Sequence, residues 1–589
     1  MDTTIGGHRV KSVFTLLKER LMEREIEDLA NKAGVDEEVV AEIGREFTAH
    51  GKQACIMSYR GPAMHTNGYD TIRAIGYLNF LIGNHDWKGG HIGAQKGFSP
   101  AEGRYDIDKV PGGNKGWGTT IARQKTKYED SSFFKEDGYP AKRRWYPFPG
   151  NMCHEVIPSA AVGYPYSIKA LFMNRHSPLN SSPGASRIAK QLAMTDKIEL
   201  VVSFDITLGD SSMYADYVLP DLTYLEKFTQ ESVYPSQQYA VTQLGQPTTR
   251  AFEGPRPVED FYIELAKQLG LPGVGEGAFG PGTSLDSSSD YWLKMAANVA
   301  YAGKEPVPDA NAEELELFSR TRRKALGDAF DEERWKQAVT AEEWPKVVYV
   351  LNRGGRFSGQ APERGDAYEG EWLKHRYAGL CQFYDPKTAA LKDCMTGENY
   401  DGLAKIRPVM KSDGTVIGPT EERPLHFVSW KSRHMGTHRT VNNAWLREIR
   451  PENYLWINAS DAAERGINNG DRVRVTSPTA TVESTAMVLQ GLRPGTVGAE
   501  SAFGHKGYAA GEVTIDGEPI AAVSAYAHSK AAQNVVPGSE EFGFAGARSA
   551  GFAVNELLEE DTVLGGGGLT DPIGGGAAQL DTWVQVEKI

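Results

Sequence analysis

Two apolar runs that each end abruptly in a polar loop constrain this fold more than any other feature of the chain. Residues 171–173 and 198–204 are rich in β-branched and aromatic side chains, as buried parallel strands are. Polar residues follow each run: Asn174, Arg175, His176, Ser177 and Asn180 after the first, and Asp205, Thr207 and Asp210 after the second. Ligands bind beyond the carboxyl ends of such strands, so the pattern predicts a nucleotide site. The alternative is a pair of ordinary turns capped by Asn and Asp.

The predicted site is not an ordinary NAD site, because the phosphate-binding GxGxxG pattern is absent from the chain. A carboxylate at a strand end suits ribose hydroxyls or the N–H edge of a guanine. Asp205 is the candidate for the guanine edge, and Asn174 and Asn555 are candidates for the same edge or the sugar.

Length and charge narrow the class of protein. With 589 residues the chain is long enough for several domains. The net charge of −13 argues against a nucleic-acid partner, and no apolar run has the roughly 20 residues of a membrane span. The N-terminal residues show neither an apolar signal core nor a twin-arginine pattern, so export would depend on a partner.

The cysteines indicate no metal site in this chain. Cys55, Cys153, Cys381 and Cys394 are far apart, and none belongs to a CxxC pair of the kind that zinc and iron–sulfur sites use. We expect incidental thiols, and a disulfide between Cys381 and Cys394 stays open.

Four segments follow from the patterns: an α/β end piece (1–100), an α/β domain with long loops (101–290), an irregular and helical insertion (291–423) and a β-barrel (424–589). Helices are expected after Asp36, over residues 71–82 and over residues 259–269.

Other parts of the chain show weaker patterns. A buried strand is expected over residues 54–57, a flexible connection over 273–285, and a short helix capped by Ser460 or Asp461. Short alternating strands separated by Gly, Pro and Asn-Gly turns after Pro424 predict the barrel.

Several motifs in a fixed order resemble the dimethyl sulfoxide reductase family. They include SYRGPAMHTNG with LIGNHDWKGGHIG, FMNRHSPLNSSPG with VSFDITLGDSSMYADYVLP, HFVSWKSRHMGTHRT, INASDAAERGINNGDRVRVTSP and PGTVGAESAFGHKGY. The resemblance implies domains II to IV of that family, with the N-terminal part missing and α/β layers preceding the barrel. KVVYVLNRGGRF and two other segments resemble the tetrathionate-reducing branch. Thiosulfate, polysulfide and arsenate reductases, or a non-catalytic scaffold chain, are the alternatives.

The resemblance also implies a cofactor and partners. The cofactor would be molybdenum or tungsten held by two pterin guanine dinucleotides, acting on a small sulfur oxyanion. The family's iron–sulfur motif is absent, which suggests a split catalytic subunit whose N-terminal half carries a 4Fe-4S cluster. Further expected partners are a ferredoxin-like iron–sulfur subunit for electron transfer and a membrane-anchored quinol-oxidising subunit. The location would be the periplasm or the outer face of the cytoplasmic membrane.

The site residues implied by the resemblance fall into two groups, and none is a metal ligand. Candidates for binding and converting an anionic substrate are Arg60, His65, Arg175 and His176, with His85 and His154 as further lining residues. Candidates for cofactor binding are Tyr59, Gly61, Asn67, Asn174, Ser177, Asp205, Thr207, Asp210, Lys431, Ser432, Arg433, Thr437, His438, Arg439, Gly504, His505, Lys506 and Asn555. Arginine suits phosphate because its guanidinium donates two hydrogen bonds in one plane. The plainer interpretations are an exposed basic loop at 431–440 and a structural role for His65.

Overall fold

The computed structural model describes the greater part of the chain. The described residues are 1–91, 97–113, 119–231, 239–357, 368–373, 382–441, 443–507, 510, 513–515, 518–520 and 549–589. Of the side chains in these ranges, those of 231, 438, 439, 444, 513–515 and 518–520 are not described. Within the described part, no helix has both the length and the apolar run needed to cross a membrane.

The N-terminal segment is a hairpin followed by helices. Strands β1 (Asp2–Ile5) and β2 (His8–Lys11) pair antiparallel. The helices are α1 (Val13–Leu21), α2 (Ile26–Ala33), α3 (Glu37–Ala49) and α4 (Gly68–Ile82). Asp36 caps α3, since its side chain accepts from the Glu38 N–H at 2.8 Å. The expected helices after Asp36 and over 71–82 are confirmed.

The strand expected over residues 54–57 is wrong. The segment belongs to no β-ladder, and Met57 is 75% exposed. Its backbone is bonded instead by side-chain amides: Asn79 in α4 both donates to the Ile56 carbonyl at 2.9 Å and accepts from the Ile56 N–H at 3.0 Å. Asparagine side chains therefore take the place of a neighbouring strand, which an apolar run cannot reveal.

A three-stranded parallel sheet forms the next layer. Its strands are β3 (Ala170–Asn174), β4 (Leu200–Asp205) and β5 (Tyr217–Pro220), with β4 central. The helices of this region are α5 (Ser132–Asp137), α6 (Val156–Val162), α7 (Pro178–Ser181) and α8 (Ala185–Leu192). Apolar side chains of α6 and α8 pack with those of β3 and β4 in one core. The two predicted parallel strands and the polar loops after them are confirmed.

A helical unit follows the sheet. Its elements are β6 (Thr229–Glu231), β7 (Val241–Gly245), α9 (Val258–Gln268), β8 (Gly275–Glu276), β9 (Ser284–Leu285), α10 (Ser288–Tyr301), α11 (Ala312–Leu326), α12 (Glu332–Lys336), α13 (Glu343–Asn352) and β10 (Gly355–Phe357). Its core lies between α10 and α13, where Val299, Val347 and Val348 are fully buried. The predicted helix over 259–269 is confirmed.

The flexible connection expected over residues 273–285 is wrong. Gly275 and Glu276 pair with Leu285 and Ser284 in a short antiparallel ladder. Short ladders of this kind use glycine turns, so a Gly-rich stretch alone does not separate a hairpin from a linker. Beyond the helical unit the described chain is irregular, as expected, with β11 (Tyr368–Glu369), β12 (Trp372–Leu373) and α14 (Pro386–Ala389).

The C-terminal part forms the predicted barrel. Six strands close it in the order β13 (Leu425–Lys431), β17 (Thr496–Ser501), β14 (Leu455–Asn458), β16 (Thr481–Leu489), β15 (Arg472–Thr476) and β22 (Thr582–Lys588). Alternation decides which side chains point inward: Val473 and Val475 are fully buried in the barrel core. The remaining elements are α15 (Ala444–Ile449), α16 (Ala459–Glu464), β18 (Val513–Ile515), β19 (Glu518–Ile520), β20 (Glu560–Asp561) and β21 (Gly567–Gly568).

Two details of the barrel differ from the sequence expectation. The closing strand β22 comes from the tail, which we expected to be rich in loops. Helix α16 is capped by Asn458 rather than by Ser460 or Asp461, because the Asn458 side chain accepts from the Ser460 N–H at 2.8 Å. The proposed domain boundaries stay predictions.

Candidate cofactor and substrate site

The loop after β3 begins in a strained backbone conformation. Arg175 has a φ of 53°, in the left-handed region that non-glycine residues rarely adopt. Such a conformation costs on the order of 1–3 kcal/mol and is concentrated at functional sites. Asn174 and Arg175 are exposed, and His176 is half-buried. The strain therefore marks the carboxyl end of the sheet as a candidate functional loop.

Basic side chains from three segments interact near this loop. Arg60 acts electrostatically on His154, and His154 acts on His176. Burial lowers the pKa of His154, and the charge of Arg60 lowers it further. Burial also lowers the pKa of His176, with His154 adding to the effect. Both imidazoles are therefore neutral at pH 7. The structure thus brings together Arg60, His154 and His176, as expected for a site that attracts anions.

A buried triad of charges lies behind His154. Glu155 bonds to Arg123 at 2.5 Å and to Arg143 at 2.8 Å, and both arginines are fully buried. Burial favours the neutral carboxyl, but Arg143 and Arg123 outweigh it and hold the pKa of Glu155 at about 2. The Nε2 atom of His154 is buried and, among the described residues, has no hydrogen-bond partner. Two positive charges and one negative charge therefore leave a positive excess behind this imidazole.

The loop 58–68 is held by the C-terminal tail. Asp581 accepts from His65 Nδ1 at 2.5 Å and from the Thr66 N–H at 2.8 Å. The side chain of Asn67 donates to the Arg407 carbonyl at 2.8 Å, so part of its hydrogen-bonding capacity is used by the chain itself. Tyr59 is 82% exposed, Arg60 is exposed, and Gly61 begins the turn Gly61–Ala63. The first half of the loop is thus accessible and the second half is anchored.

Asp205 lies at the end of β4, as expected. Its Oδ1 accepts from the Ile206 N–H at 2.9 Å, and its Oδ2 accepts from the Ser212 hydroxyl at 3.2 Å. Each carboxylate oxygen has a second acceptor position. Asp205 and Thr207 are both half-buried. The role of Asp205 toward a guanine edge stays a prediction.

Asp210 joins the α/β layer to the barrel. Its Oδ2 lies 2.6 Å from His505 Nδ1, and its Oδ1 accepts from the N–H groups of Lys506 and Gly507, both at 2.6 Å. Burial favours the neutral carboxyl of Asp210, but the bond to His505 and these N–H groups outweigh it and lower its pKa. Two residues predicted to bind the cofactor thus bind each other, and their direct contact with a cofactor stays a prediction.

Gly504 has a different physical reason from the expected one. We expected it to let the backbone approach a cofactor. Its φ is +68°, and a Cβ atom placed there would lie 2.4 Å from the Ala553 nitrogen. Gly504 therefore permits the close approach of the chain's own backbone at residues 552–553.

A cavity of about 240 Å³ lies between the α/β layer and the barrel. Its lining residues are Leu179, Asn180, Ala185, Ser186, Ala189, Lys190, Asp210, Tyr214, Gly504, Lys506, Ala553 and Glu556. Lys506 bonds to Glu556 at 2.9 Å, and that bond raises the pKa of the lysine. The cavity is therefore polar, with two lysines, an amide and a phenol near one another.

Ser177 and Asn555 are used in packing. The hydroxyls of Ser177 and Ser211 lie 3.2 Å apart, which ties the two polar loops together. Asn555 is buried, and its amide donates to the Ser182 carbonyl at 2.9 Å. Of the three predicted amide and hydroxyl contacts, Asn174 alone remains exposed.

The barrel loop 431–440 is described in part. Lys431 and Arg433 are exposed, Ser432 is buried, and its hydroxyl accepts from the His434 N–H at 3.2 Å. Thr437 has a φ of 56° and bonds to the Gly436 carbonyl. The side chains of His438 and Arg439 lie outside the described residues. The prediction that this loop binds phosphate or pterin oxygens therefore stays open.

The donors around the cavity fit the nucleotide end of a pterin dinucleotide. Lys190 and Lys506 offer positive charge to a diphosphate, and Asn180 and Asp210 offer groups for a sugar or base edge. The volume suits part of such a ligand, since complete ligand pockets are commonly about 300–1,000 Å³. In the described part of the chain, no three His, Cys, Asp or Glu side chains come together as a metal site.

Sequence reasoning missed the carboxylates that hold the site together. Glu155, Asp571 and Asp581 come from segments without helical or strand periodicity, and their partners are far away in the chain. The tail motif containing LTDP was noted, but nothing in it shows which loop it binds. Cys394 is buried, which raises its pKa to about 11, Cys153 is exposed and Cys55 is half-buried. Cys381 lies outside the described residues, so the disulfide stays untested.

Comparison with known proteins defines the class. The family described as molybdopterin oxidoreductase matches residues 8–254, and the molydopterin dinucleotide binding domain matches residues 425–530. The chain belongs to the molybdopterin oxidoreductases of the dimethyl sulfoxide reductase family. The fold resembles acetylene hydratase from Pelobacter acetylenicus with a TM-score of 0.56 at 17% identity, covering 98% of this chain and 66% of the hydratase.

Two relatives are similar over most of the chain. A selenate reductase subunit from Mesobacillus selenatarsenatis is 36% identical over 100% of this chain and 56% of its own length. A tetrathionate reductase subunit from Salmonella typhimurium is 31% identical over 88% of this chain and 52% of its own length. The chain thus spans about half the length of these relatives. Because the family match begins at residue 8, it gives no support to the expected missing N-terminal part.

Proposed function

We propose that this chain is the substrate-reducing part of a molybdenum or tungsten enzyme acting on small oxyanions of sulfur or selenium. The observation that carries the proposal is the cluster of Arg60, His154 and His176 at the carboxyl end of the parallel sheet. A guanidinium and two imidazoles suit an anion, and the positive excess behind them attracts one despite the net charge of −13. Tetrathionate and selenate are the candidate substrates, supported by the names of two relatives.

The cofactor in this proposal is molybdenum or tungsten held by two pterin guanine dinucleotides. When bound, it supplies the electron pair for the reduction. The cavity between the sheet and the barrel would hold one nucleotide end through Lys190 and Lys506, with Asp205 toward a guanine edge. The residues Arg60, His154 and His176 would bind and orient the substrate anion.

Partners are a second part of the proposal. The chain would work with a polypeptide that carries a 4Fe-4S cluster and the metal ligand, with a ferredoxin-like subunit, and with a membrane-anchored quinol-oxidising subunit. The complex would act in the periplasm or on the outer face of the cytoplasmic membrane. Support comes from the absence of an iron–sulfur cysteine motif in this sequence and from the greater length of the relatives.

The partner proposal is tested by loading. Residues 1–589 are expressed alone and together with candidate iron–sulfur chains encoded nearby, and the bound metal and pterin are then quantified. We expect near-stoichiometric cofactor only in the co-expressed sample. Near-stoichiometric cofactor in the chain expressed alone would refute the partner requirement.

The substrate proposal is tested with cofactor-loaded protein and a reduced dye as electron donor. Selenate, tetrathionate, thiosulfate, polysulfide and arsenate are compared by kcat/KM. We expect selenate or tetrathionate to lead, and Arg60→Gln to raise the KM for that anion about tenfold. Arg474→Gln is the control, since Arg474 is an exposed arginine on the barrel strand β15. A loaded protein that reduces none of these anions would favour the scaffold interpretation.

A further inference from the structure

His65 and Asp581 form an imidazole–carboxylate pair between the two ends of the chain. The side chain of Asp581 is 2% exposed and that of His65 is 28% exposed, and the bond between them is 2.5 Å long. The other carboxylate oxygen of Asp581 accepts from the Thr66 N–H at 2.8 Å. The carboxylate is therefore fixed by two bonds to the loop, and the imidazole extends from it toward solvent.

This geometry decides what the second ring nitrogen can do. Because Nδ1–H points at a buried carboxylate, Nε2 is the nitrogen left for a ligand. In the described part of the chain, His65 Nε2 has no hydrogen-bond partner. A buried carboxylate stabilises the imidazolium form and holds the ring in one orientation, as in catalytic His–Asp pairs on unrelated folds.

The loop that carries His65 also carries Arg60, which belongs to the candidate anion cluster. The charged and titratable groups on the elements packed around His65 are Asp581 and Asp571 in the tail, Asp70 in α4, Arg407, and His426 in β13. Asp70 is neutralised by Arg407, whose Nε lies 2.7 Å away, and His426 bonds to the Leu580 carbonyl at 2.6 Å. Asp581 is thus the charged group that bonds to the ring.

We propose that His65 is a catalytic residue that donates a proton to an oxyanion substrate, and that Asp581 is its positioning residue. The inference rests on the proposed function. Reduction of selenate breaks one Se–O bond and takes selenium from the +6 to the +4 state: SeO4²⁻ + 2 e⁻ + 2 H⁺ → SeO3²⁻ + H2O. The electrons come from a reduced molybdenum or tungsten pterin cofactor. His65 Nε2 delivers one proton to the departing oxygen, and solvent delivers the other.

The chemistry of the alternative substrate gives an internal contrast. Splitting the central S–S bond of tetrathionate takes an electron pair and no proton, because both products are thiosulfate dianions. With tetrathionate, His65 acts only as a cationic donor to the substrate oxygens. Loss of the pair therefore affects selenate reduction more than tetrathionate reduction.

The test uses the cofactor-loaded protein with Asp581→Asn and His65→Gln. Asparagine keeps the shape of the aspartate and removes its charge. We expect each variant to lower kcat/KM for selenate at least tenfold more than for tetrathionate. In Asp581→Asn the alkaline limb of the pH profile moves to lower pH, since the imidazolium loses its stabilising charge. Binding of sulfate, a non-reducible oxyanion, is measured by calorimetry at pH 6 and weakens in both variants.

Asp571→Asn is the matched control. Asp571 is a buried carboxylate of the same tail and anchors the same region, accepting from the N–H of Tyr69 at 2.9 Å, but it touches no imidazole. It should lower stability and leave the pH profile unchanged. If Asp581→Asn also leaves the pH profile, the selenate-to-tetrathionate ratio and sulfate binding unchanged, the pair is purely structural and the inference fails. A wild-type protein that reduces no anion, yet binds sulfate through this pair, would refute the proposed function and support His65 as the anion donor.

Discussion

At the scale of single residues, the buried charges around Glu155 determine the stability near the candidate site. Glu155→Gln leaves Arg123 and Arg143 buried without a counter-charge, so we expect a loss of about 3–5 kcal/mol in the free energy of unfolding. Urea unfolding followed by circular dichroism measures it. Glu199→Gln is the control, because Glu199 is 61% exposed in a 3.7 Å ion pair and should cost less than about 1 kcal/mol. Equal losses in the two variants would contradict this account of the triad.

At the scale of elements, glycine positions decide how closely the barrel loops pack. Gly504→Ala places a Cβ atom 2.4 Å from the Ala553 nitrogen, whereas Gly466, with a similar φ of +64°, has no heavy atom within 4 Å of the added group. Gly466→Ala should therefore cost only the backbone strain, roughly 1 kcal/mol, and Gly504→Ala should cost about 1–3 kcal/mol more. Thermal unfolding of both variants, compared with wild type, separates strain from steric overlap. A larger loss in Gly466→Ala would contradict this explanation.

At the scale of the whole molecule, Asp210 connects the α/β layer to the barrel. Its pKa is lowered in the folded state, so it stabilises the protein above its ordinary pKa of 3.8, and this contribution is lost as the pH falls through the lower folded value. Asp210→Ala should lower the melting temperature at pH 7 and reduce the difference between wild type and variant at pH 3. Asp196→Ala, which changes a 72% exposed carboxylate, is the control. A pH-independent difference between wild type and Asp210→Ala would contradict the linkage.

The sequence by itself determined the local elements and the family. Alternating and helical patterns are short-range properties, so the parallel strands ending at Asn174 and Asp205, the helix capped by Asp36 and most barrel strands could be predicted. Arg60 and His176 were also recognised as site residues, because loops after strands are where ligands bind.

Only the tertiary structure decided which side chains meet. Asp210 bonds to His505 and Asp581 to His65 across 295 and 516 residues of chain, and no local pattern records such distances. The bonds of Asn79 to Ile56 likewise replaced an expected strand, because an amide side chain can satisfy a backbone as well as a neighbouring strand does. The physical reason is general: periodicity reports the face that a residue occupies, whereas the partner on that face is chosen by packing among distant segments.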